Sequence, residues 1–378
     1  MNNYRLEELS EFIRNGASIK QFENAKGYPI TRIETISDSY VNLERVGYAD
    51  IMDFGKYEEY LLDIGDILMS HINSDKHLGK TAIFENENVK LIHGMNLLCI
   101  RPNKKIVSPK YLNYYFKSLD FKKQLPKIMK KSVNQASFSV SDLKKLKCKI
   151  HSIESQKKIV EILDKSQELI DKRKKQIEEL DLLVKSKFIE MFGDLKKEKK
   201  VSLASCTTFI DYRGKTPVLS ESGIRMINAK SVGNGFFKYI DEYISEKTYN
   251  EWMKRGIPSV GDVLFVTEGH TFGNVCRIPS NLSKFAMGQR VITIQGKSGI
   301  LNNIFLAQYM QSISFRVDID KYKTGSSAQG IRSKELQKIP VPIPSIELQN
   351  QFADFVKQVD KLKFEMEKSL KELEDNFN

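Results

Sequence analysis

Residues 150–192 constrain the fold more than any other stretch of this sequence. They contain no glycine or proline and are rich in Lys, Glu and Leu. Apolar residues recur at a seven-residue step: Leu163, Ile170, Ile177, Val184 and Met191. Further apolar residues widen this line into a stripe: Ile159, Leu169, Leu180, Leu183 and Phe188. This spacing predicts one long amphipathic helix whose apolar seam meets another helix, with Gly193 as its stop.

The length of the predicted helix shows that it connects separate parts of the chain. About forty residues at about 1.5 Å each form a rod of roughly 60 Å, too long for one small globule. A suitable partner lies at residues 343–378, where apolar residues alternate in steps of four and three. The predicted contact residues of the two helices are Leu163, Ile170, Ile177, Val184, Phe352, Phe355, Val359, Leu362 and Met366.

The two helices begin with the same phrase, which indicates a tandem repeat. Ile150-His-Ser-Ile-Glu-Ser-Gln156 corresponds to Ile343-Pro-Ser-Ile-Glu-Leu-Gln349. Further landmarks keep the same order in both halves, among them Gly65-Asp-Ile-Leu68 with Gly261-Asp-Val-Leu264, and Gly94-Met-Asn96 with Gly288-Gln-Arg290. We therefore predict an α/β (α+β) protein of two mixed globules, residues 1–149 and 194–342. Long helices at 150–193 and 343–378 follow them and pack against each other.

The charge of the chain is concentrated in one segment. The formal net charge is +12, and residues 104–149 contain thirteen lysines against two aspartates, beside Tyr111, Tyr114 and Tyr115. Clustered lysine with aromatic neighbours is typical of a surface that contacts nucleic-acid phosphates. The alternative is a generic basic surface, which the local concentration disfavours.

Several classes of protein are disfavoured by what the sequence lacks. No apolar run approaches the length of a membrane span. The four cysteines form no CxxC pair, so we expect buried thiols in a reducing cytoplasm and no structural zinc. His71 and His77 could form a metal site, but we expect loop histidines that contact solvent or phosphate. Neither Gly214-Lys-Thr216 nor Gly296-Lys-Ser298 has the glycine that a phosphate-binding loop requires five residues before its Gly-Lys pair.

The repeated motifs resemble those of specificity subunits of type I restriction–modification systems. The resemblance extends over essentially the whole chain. Its best signatures are the junction Ile339-Pro-Val-Pro-Ile-Pro-Ser-Ile-Glu-Leu-Gln349, the paired Gly-Asp turns and the Gly288-Gln-Arg290 loop. The first copy departs from the pattern, because Leu146-Lys-Cys-Lys-Ile150 lacks the prolines, although the Ser-Ile-Glu-x-Gln core is present.

This resemblance implies a DNA-binding function without catalysis by the chain itself. In such proteins each globule is a target-recognition domain that reads one half of a bipartite sequence in double-stranded DNA. The two long helices pair as an antiparallel coiled coil that fixes the gap between the half-sites. They also dock two methyltransferase subunits, which carry S-adenosylmethionine. Restriction subunits that use ATP and Mg²⁺ join the assembly. The chain itself is expected to bind none of these cofactors and to have no membrane partner.

Candidate DNA contacts fall into two chemical groups. Lysines suit phosphates, whereas Arg suits guanine and Asn or Gln suits adenine. The predicted phosphate contacts are Lys122, Lys123, Lys127, Lys130 and Lys131. The predicted loop contacts are Asn73, Lys76, Asn96, Asn134 and Gln135 in the first globule, and Arg213, Lys215, Thr216, His270, Gln289, Arg290, Ser326, Gln329 and Arg332 in the second. Gln289, Arg290 and residues 326–329 are favoured because their loops recur in both copies.

Three other interpretations stay open at this point. The chain could be a DNA-specificity module for another type of restriction or modification enzyme, with a different partner and gap. It could be a coiled-coil interaction scaffold without DNA readout, although the lysine concentration argues against this. A catalytic methyltransferase is disfavoured, because no Asn-Pro-Pro or Asp-Pro-Pro motif occurs in the sequence.

Overall fold

The computed structural model describes residues 1–74, 77–132, 135–193, 195, 197–212, 214, 216–325 and 329–377. It divides into two compact units. Unit 1 comprises Met1–Arg173 with Ser369–Asn378, and unit 2 comprises Lys174–Lys368. Each of the two long helices therefore contributes one part to each unit. Among the described residues, no helix is long and apolar enough to cross a membrane.

Among the described residues, unit 1 contains nine strands, four short helices, the start of the first long helix and the end of the second. The strands are β1 (Asn2–Arg5), β2 (Ser10–Asn15), β3 (Ile67–Ser70), β4 (Ile72–Asn73), β5 (Thr81–Ile83), β6 (Leu97–Pro102), β7 (Lys130–Ser132), β8 (Gln135–Ser137) and β9 (Lys147–Ile150). The helices are α1 (Pro109–Lys117), α2 (Leu119–Lys122), α3 (Leu125–Ile128), α4 (Val140–Lys144) and the long α5 (Ile153–Phe192). Short 3-10 helices cover Ile33–Ile36, Leu43–Arg45 and Gly55–Tyr60.

Unit 2 repeats much of this order. The strands are β10 (Lys200–Ser202), β11 (Thr207–Asp211), β12 (Ile224–Ile227), β13 (Tyr243–Ile244), β14 (Val263–Val266), β15 (Val275–Arg277), β16 (Phe285–Met287), β17 (Val291–Gly296) and β18 (Pro340–Pro342). The helices are α6 (Leu203–Cys206), α7 (Glu246–Trp252), α8 (Asn303–Met310), α9 (Ile313–Asp320), α10 (Ser333–Lys338) and the long α11 (Ile346–Phe377), and Ala229–Ser231 is a 3-10 helix.

The shared scaffold of the two globules is a four-stranded antiparallel sheet. Its strand order is β2-β6-β3-β5 in unit 1 and β11-β17-β14-β15 in unit 2. The registers correspond as well, because Ile67 pairs with Ile100 and Val263 pairs with Ile294. A separate two-stranded pair, β1-β9 or β10-β18, joins the start of each globule to the strand that precedes its long helix. The tandem repeat predicted from sequence is therefore confirmed.

The Gly-Asp landmark forms the same turn in both copies. Gly65 and Gly261 have φ angles of +96° and +84°, a left-handed conformation that glycine adopts at little cost. The next residue closes the turn, since a carboxylate oxygen of Asp66 accepts from Asp63 N at 2.9 Å. Asp262 does the same with Ser259 N at 2.7 Å. This turn directly precedes β3 in unit 1 and β14 in unit 2, which are central strands of the two sheets.

The two globules differ outside this scaffold. Unit 1 has a three-stranded antiparallel sheet of order β4-β8-β7. Unit 2 has a three-stranded sheet of order β13-β12-β16, in which β12 and β16 run parallel. The copies thus combine one scaffold with different accessory sheets.

Each central sheet is buried on both faces. In β3, Ile67 and Met69 join a core that contains Leu112 and Phe116 of α1. Leu68, on the opposite face, belongs to a second apolar cluster. Such burial explains why the central strands are apolar throughout and show little polar alternation. The accessory segments of each copy therefore rest on a rigid support.

The long helices begin three residues later than predicted. Residues 150 and 343 were the predicted starts, but Lys147–Ile150 pairs as a strand with Asn2–Arg5, and Pro340–Pro342 pairs with Lys200–Ser202. The helices therefore begin at Ile153 and Ile346. Helix α5 ends at Phe192, directly before Gly193, as predicted.

Within unit 2 the long helices pack side by side and antiparallel. The Phe352 ring lies 5.5 Å from the Phe188 ring and 5.6 Å from the Phe192 ring. Farther along α11, Lys363 Nζ contacts Asp181 at 2.7 Å. Residue numbers therefore rise along one helix as they fall along the other, which confirms the predicted antiparallel pairing.

The predicted seam needs correction at several positions. Phe352, Val359 and Ile170 are buried, whereas Leu163, Ile177, Val184, Phe355 and Met366 are half-buried. Leu362 is 47% exposed and therefore lies outside the seam between the helices. Leu169 and Leu183, which belong to the wider apolar stripe of the first helix, are 54% and 47% exposed. From Phe352 the buried line instead runs through Val356 and Val359, and the next seam position belongs to Lys363, whose side chain is 22% exposed. Lys363 fits there because its stem packs while its ammonium pairs with Asp181.

Candidate nucleic-acid interface

One tight turn occupies the same place in both globules, directly before β6 and β17. It contains Gly94-Met-Asn96 in unit 1 and Gly288-Gln-Arg290 in unit 2. Asn96 and Arg290 both have left-handed backbones, with φ angles of +81° and +65°. Few residues other than glycine adopt this conformation, and those that do are often at functional sites. Both side chains are exposed.

Neighbouring segments hold the turn from the side of the scaffold. In unit 1, Gly94 N donates to Thr31 Oγ1 at 2.9 Å. In unit 2, Gly288 N donates to Ile227 O at 2.7 Å. Thr31 and Ile227 occupy corresponding positions in the two copies, so both turns are anchored in the same way. The third residue of each turn is exposed.

Three loops of unit 2 converge on Arg290. Thr267 N donates to Arg290 O at 2.9 Å, and Ile331 N donates to Thr267 O at 2.9 Å. Gly269 N donates to Gln329 O at 3.0 Å. The described residues of these loops, 267–273, 288–290, 324–325 and 329–331, are therefore joined by backbone hydrogen bonds into one surface, which we call the unit 2 loop cluster.

The unit 2 loop cluster contains four of the nine predicted DNA contacts of the second globule. His270, Gln289, Arg290 and Gln329 lie in its loops, and Arg332 follows directly as the residue before α10. Thr216 is exposed in the segment between β11 and β12, apart from these hydrogen bonds. Arg213, Lys215 and Ser326 lie outside the described residues.

An acidic residue that sequence reasoning missed belongs to the same cluster. Glu268 Oε1 lies 3.3 Å from Arg290 Nε, and the two side chains are 57% and 59% exposed. Inspection of the sequence selected basic and neutral polar side chains as DNA contacts. It therefore passed over this carboxylate. The available signal was its position two residues before His270, a predicted contact in the same loop.

Predicted contacts of the first globule meet in its accessory sheet. Asn73 lies in β4, Gln135 in β8, and Lys130 and Lys131 in β7. Lys131 and Asn73 are both register partners of Ala136, so the three strands bring them to one surface. Asn73 is partly engaged, because its amide donates to Ser70 Oγ at 3.2 Å and accepts from Ser74 N at 2.8 Å. Lys76 and Asn134 are outside the described part of the chain.

The remaining predicted phosphate contacts lie just before this sheet. Lys122 ends α2, Lys123 follows it, and Lys127 belongs to α3. All three side chains are exposed, as is Lys130. In contrast, burial lowers the pKa of Lys117, with a smaller contribution from the nearby Lys122 charge. Because the other four lysines are exposed, they form a positive surface that is accessible to phosphate groups.

His71 does not occupy the exposed position that the sequence suggested. Its side chain is only 7% exposed, and burial lowers its pKa. Its carbonyl accepts from Phe138 N at 3.1 Å, which ties the strand end to the accessory sheet. The expected solvent or phosphate contact of His71 was wrong, because the residue lies between β3 and β4, where its ring is buried 6.4 Å from the Phe138 ring.

The described residues show no arrangement that would hold a metal ion, since no group of three or more His, Cys, Asp or Glu is suitably placed among them. All four cysteines are free and buried. Burial raises the pKa of both Cys148 and Cys276 to about 12, which keeps these thiols protonated at neutral pH. The four cysteines therefore pack in the cores as small apolar residues.

Each globule is fastened to a long helix within its own unit. In unit 1, Asp164 of α5 accepts from Tyr114 OH at 2.7 Å and pairs with Lys110 Nζ at 3.1 Å. Burial and this hydrogen bond raise the pKa of Tyr114. In unit 2, Arg277 Nη2 pairs with Asp360 of α11 at 2.7 Å. These contacts fix the direction of each helix against the sheet beside it.

Comparison with known families assigns this repeated architecture. The profile of the type I restriction modification DNA specificity domain matches residues 1–181 and again residues 204–375. The chain belongs to this family. Its two family domains coincide with the two copies of the scaffold, and each match extends into the long helix that follows the globule.

Relatives of the family align over most of the chain. The inferred type I restriction enzyme MjaX specificity subunit of Methanocaldococcus jannaschii is 32% identical over 379 aligned positions, which cover 94% of this chain and 86% of the relative. The type I restriction enzyme MjaVIII specificity subunit of the same organism is 24% identical, with 96% and 88% covered.

Solved structures share the fold at low sequence identity. A chain from a study of complex assembly and conformational transition of the type I R-M system superposes with a TM-score of 0.60 at 14% identity, covering 100% of this chain and 95% of the other. The S subunit of a type I restriction-modification system from M. genitalium gives a TM-score of 0.55 at 14% identity, with 100% and 93% covered.

Proposed function

We propose that this specificity subunit directs a type I restriction–modification complex to a bipartite sequence in double-stranded DNA. Each globule reads one half-site, and the antiparallel helices set the gap between the half-sites. The observation that carries the proposal is the repeat itself: one sheet scaffold occurs twice, with different accessory sheets and loops. A pair of such domains suits two different half-sites.

Charge and surface chemistry support the DNA contact. The first globule carries exposed lysines beside its accessory sheet, and lysine neutralises phosphates without regard to sequence. The second globule gathers Arg, Gln and His side chains in the unit 2 loop cluster. Such side chains recognise base edges by hydrogen bonding. Within the first globule, Lys130 and Asn73 lie on strands of the same accessory sheet, so contacts to DNA phosphates and to bases would come from one surface.

The chemistry of the complex would reside in partner subunits. We propose that two methyltransferase subunits dock on the long helices and bind S-adenosylmethionine, and that restriction subunits bind ATP and Mg²⁺. The chain itself acts as a reader and has no catalytic role. Apolar side chains that remain exposed on α5 and α11 are consistent with such docking: Ile162, Leu169, Leu182, Leu183, Ile189, Leu362 and Phe364.

A methylation map of the host genome tests this function directly. Adenine methylation would be compared between cells with the gene, without it, and with the gene restored. We expect loss and recovery of methyladenine at one asymmetric two-part motif with a fixed gap. A map that is unchanged by deletion, while the subunit and its partners are shown to be expressed, would contradict the proposal.

A further inference from the structure

The turn before β6 and β17 places different side chains at one structural position. In both copies the position is left-handed, follows an anchored glycine by two residues, and directly precedes a buried central strand. The side chain is Asn96 in the first globule and Arg290 in the second. A rigid scaffold thus offers an amide in one copy and a guanidinium in the other.

The guanidinium of Arg290 lies beside a carboxylate and a glycine of the neighbouring loop. Glu268 contacts its Nε at 3.3 Å, and Gly269 lies close to its Nη1, since a β-carbon placed on Gly269 would be 3.8 Å from that atom. The Arg290 carbonyl accepts from Thr267 N at 2.9 Å and Thr267 Oγ1 at 3.3 Å. With Nε engaged, Nη1 and Nη2 remain to form a two-pronged contact.

The corresponding amide of Asn96 is open to a ligand. Its side chain is exposed and makes no hydrogen bond within the described part of the chain. The carboxamide offers one donor and one acceptor side by side, which matches N7 and N6 of adenine. An arginine fork instead matches O6 and N7 of guanine.

We infer that this turn is a base-reading position in both globules, with Asn96 specifying an adenine in one half-site and Arg290 a guanine in the other. The inference rests on the proposed function and deepens it, because it assigns a base to a residue in each half-site. Glu268 is a positioning residue that orients the Arg290 fork.

Variants at the two positions should change different halves of the methylated motif. Arg290→Gln should convert or relax one guanine of the second half-site, with discrimination at that position falling roughly 5- to 150-fold. Asn96→Ala should relax one adenine of the first half-site only. Arg290→Lys keeps the charge but loses the fork, so it should also relax the guanine. Lys254→Gln removes an exposed charge elsewhere in the second globule and should leave the motif unchanged.

The outcomes separate this inference from the function on which it rests. If deletion of the gene leaves the methylation map unchanged, the proposed function fails. If the wild-type motif is bipartite but survives Arg290→Gln unaltered, or if both variants alter the same half-site, the inference alone is overturned.

If a variant loses methylation altogether, DNA binding by the purified complex provides a second test. The purified complex would be titrated with duplexes that carry the wild-type motif or the single guanine-to-adenine change. Equal affinity of the Arg290→Gln complex for the two duplexes, or tighter binding of the adenine duplex, supports the assignment, and an undiminished guanine preference overturns it. Glu268→Gln should weaken the same preference and leave the first half-site intact.

Discussion

Gln156 and Gln349 make the same three hydrogen bonds in the two copies. Gln156 accepts from Ser108 N at 2.8 Å and donates to Ile106 O and His151 O at 3.1 and 2.9 Å. Gln349 accepts from Asn302 N at 2.8 Å and donates to Ile300 O and Pro344 O at 3.1 and 2.9 Å. Both side chains are completely buried. The repeated Ser-Ile-Glu-x-Gln phrase therefore exists to join each globule to the first turn of its long helix.

Replacement of Gln349 by leucine should destabilise the protein by roughly 2–4 kcal/mol, because a buried N–H and two carbonyls lose their partner. Chemical denaturation of the full chain would measure this loss. Gln351→Leu is the matched control, since Gln351 is exposed on the same helix. Equal stability of the two variants would contradict a structural role for the Gln349 hydrogen bonds.

Phe352→Ala should cost about 3–5 kcal/mol, because Phe352 is fully buried against Phe188 and Phe192 between the long helices. Phe364 is the control on the same helix, with 58% of its surface exposed. Phe364→Ala should change stability by less than about 0.5 kcal/mol. Thermal and urea unfolding would compare them, and similar losses would show that the helix pairing is not the source of stability.

Asp66→Asn should destabilise the first globule by roughly 2–3 kcal/mol, since Arg101 would lose a buried bidentate partner at 2.7 and 2.8 Å. Asp63 also contacts Arg101 at 2.7 Å but is 67% exposed. Asp63→Asn should therefore cost less than about 1 kcal/mol. Urea unfolding of both variants tests the difference. The corresponding Asp262 contacts neutral Gln295, so Asp262→Asn should be milder than Asp66→Asn.

Acid should weaken the first globule through His93. Burial lowers the pKa of this imidazole to about 4, from 6.5 in the unfolded chain, while Nε2 contacts Leu97 O at 2.9 Å. Stability from the neutral ring is thus complete above pH 6.5 and is lost as pH falls toward 4, by about 2 kcal/mol between pH 7 and pH 5. The free energy of unfolding, measured across this pH range, should depend less steeply on pH in His93→Gln than in the wild type. The exposed His77→Gln serves as control, and an unchanged slope in His93→Gln would refute the assignment.

Removal of the exposed lysines should reduce the salt dependence of DNA binding. The variant replaces four residues by glutamine: Lys122, Lys123, Lys127 and Lys130. The slope of log affinity against log salt should fall by about 0.9 for each lost phosphate contact. A control variant removes the same charge from other exposed lysines of the first globule: Lys20, Lys26, Lys56 and Lys90. Titration of the assembled complex with its target duplex would compare them, and equal slopes would argue against a dedicated phosphate surface.

Local patterns in the sequence were enough to predict the repeat, the two long helices and the positions of the shared turns. Helical spacing and the Gly-Asp and Gly-x-x turns act over a few residues, so they can be recognised without knowledge of the fold. The amide of Gln349 illustrates the limit of such patterns. The motif was visible, but its bonds reach Ile300 and Asn302, almost fifty positions away.

Only tertiary packing decided which surfaces these local elements bury. Leu362 and Lys363 are adjacent on α11. Lys363 lies in the seam because its ammonium forms an ion pair with Asp181 of the partner helix. His71 is buried because β4 pairs with β8, a strand far along the chain. Arg290 meets Glu268 because three separate loops converge at one end of the central strands β14 and β17. Helical and turn propensities follow from neighbouring residues, whereas burial and charge pairing depend on distant ones, so only the folded chain determines them.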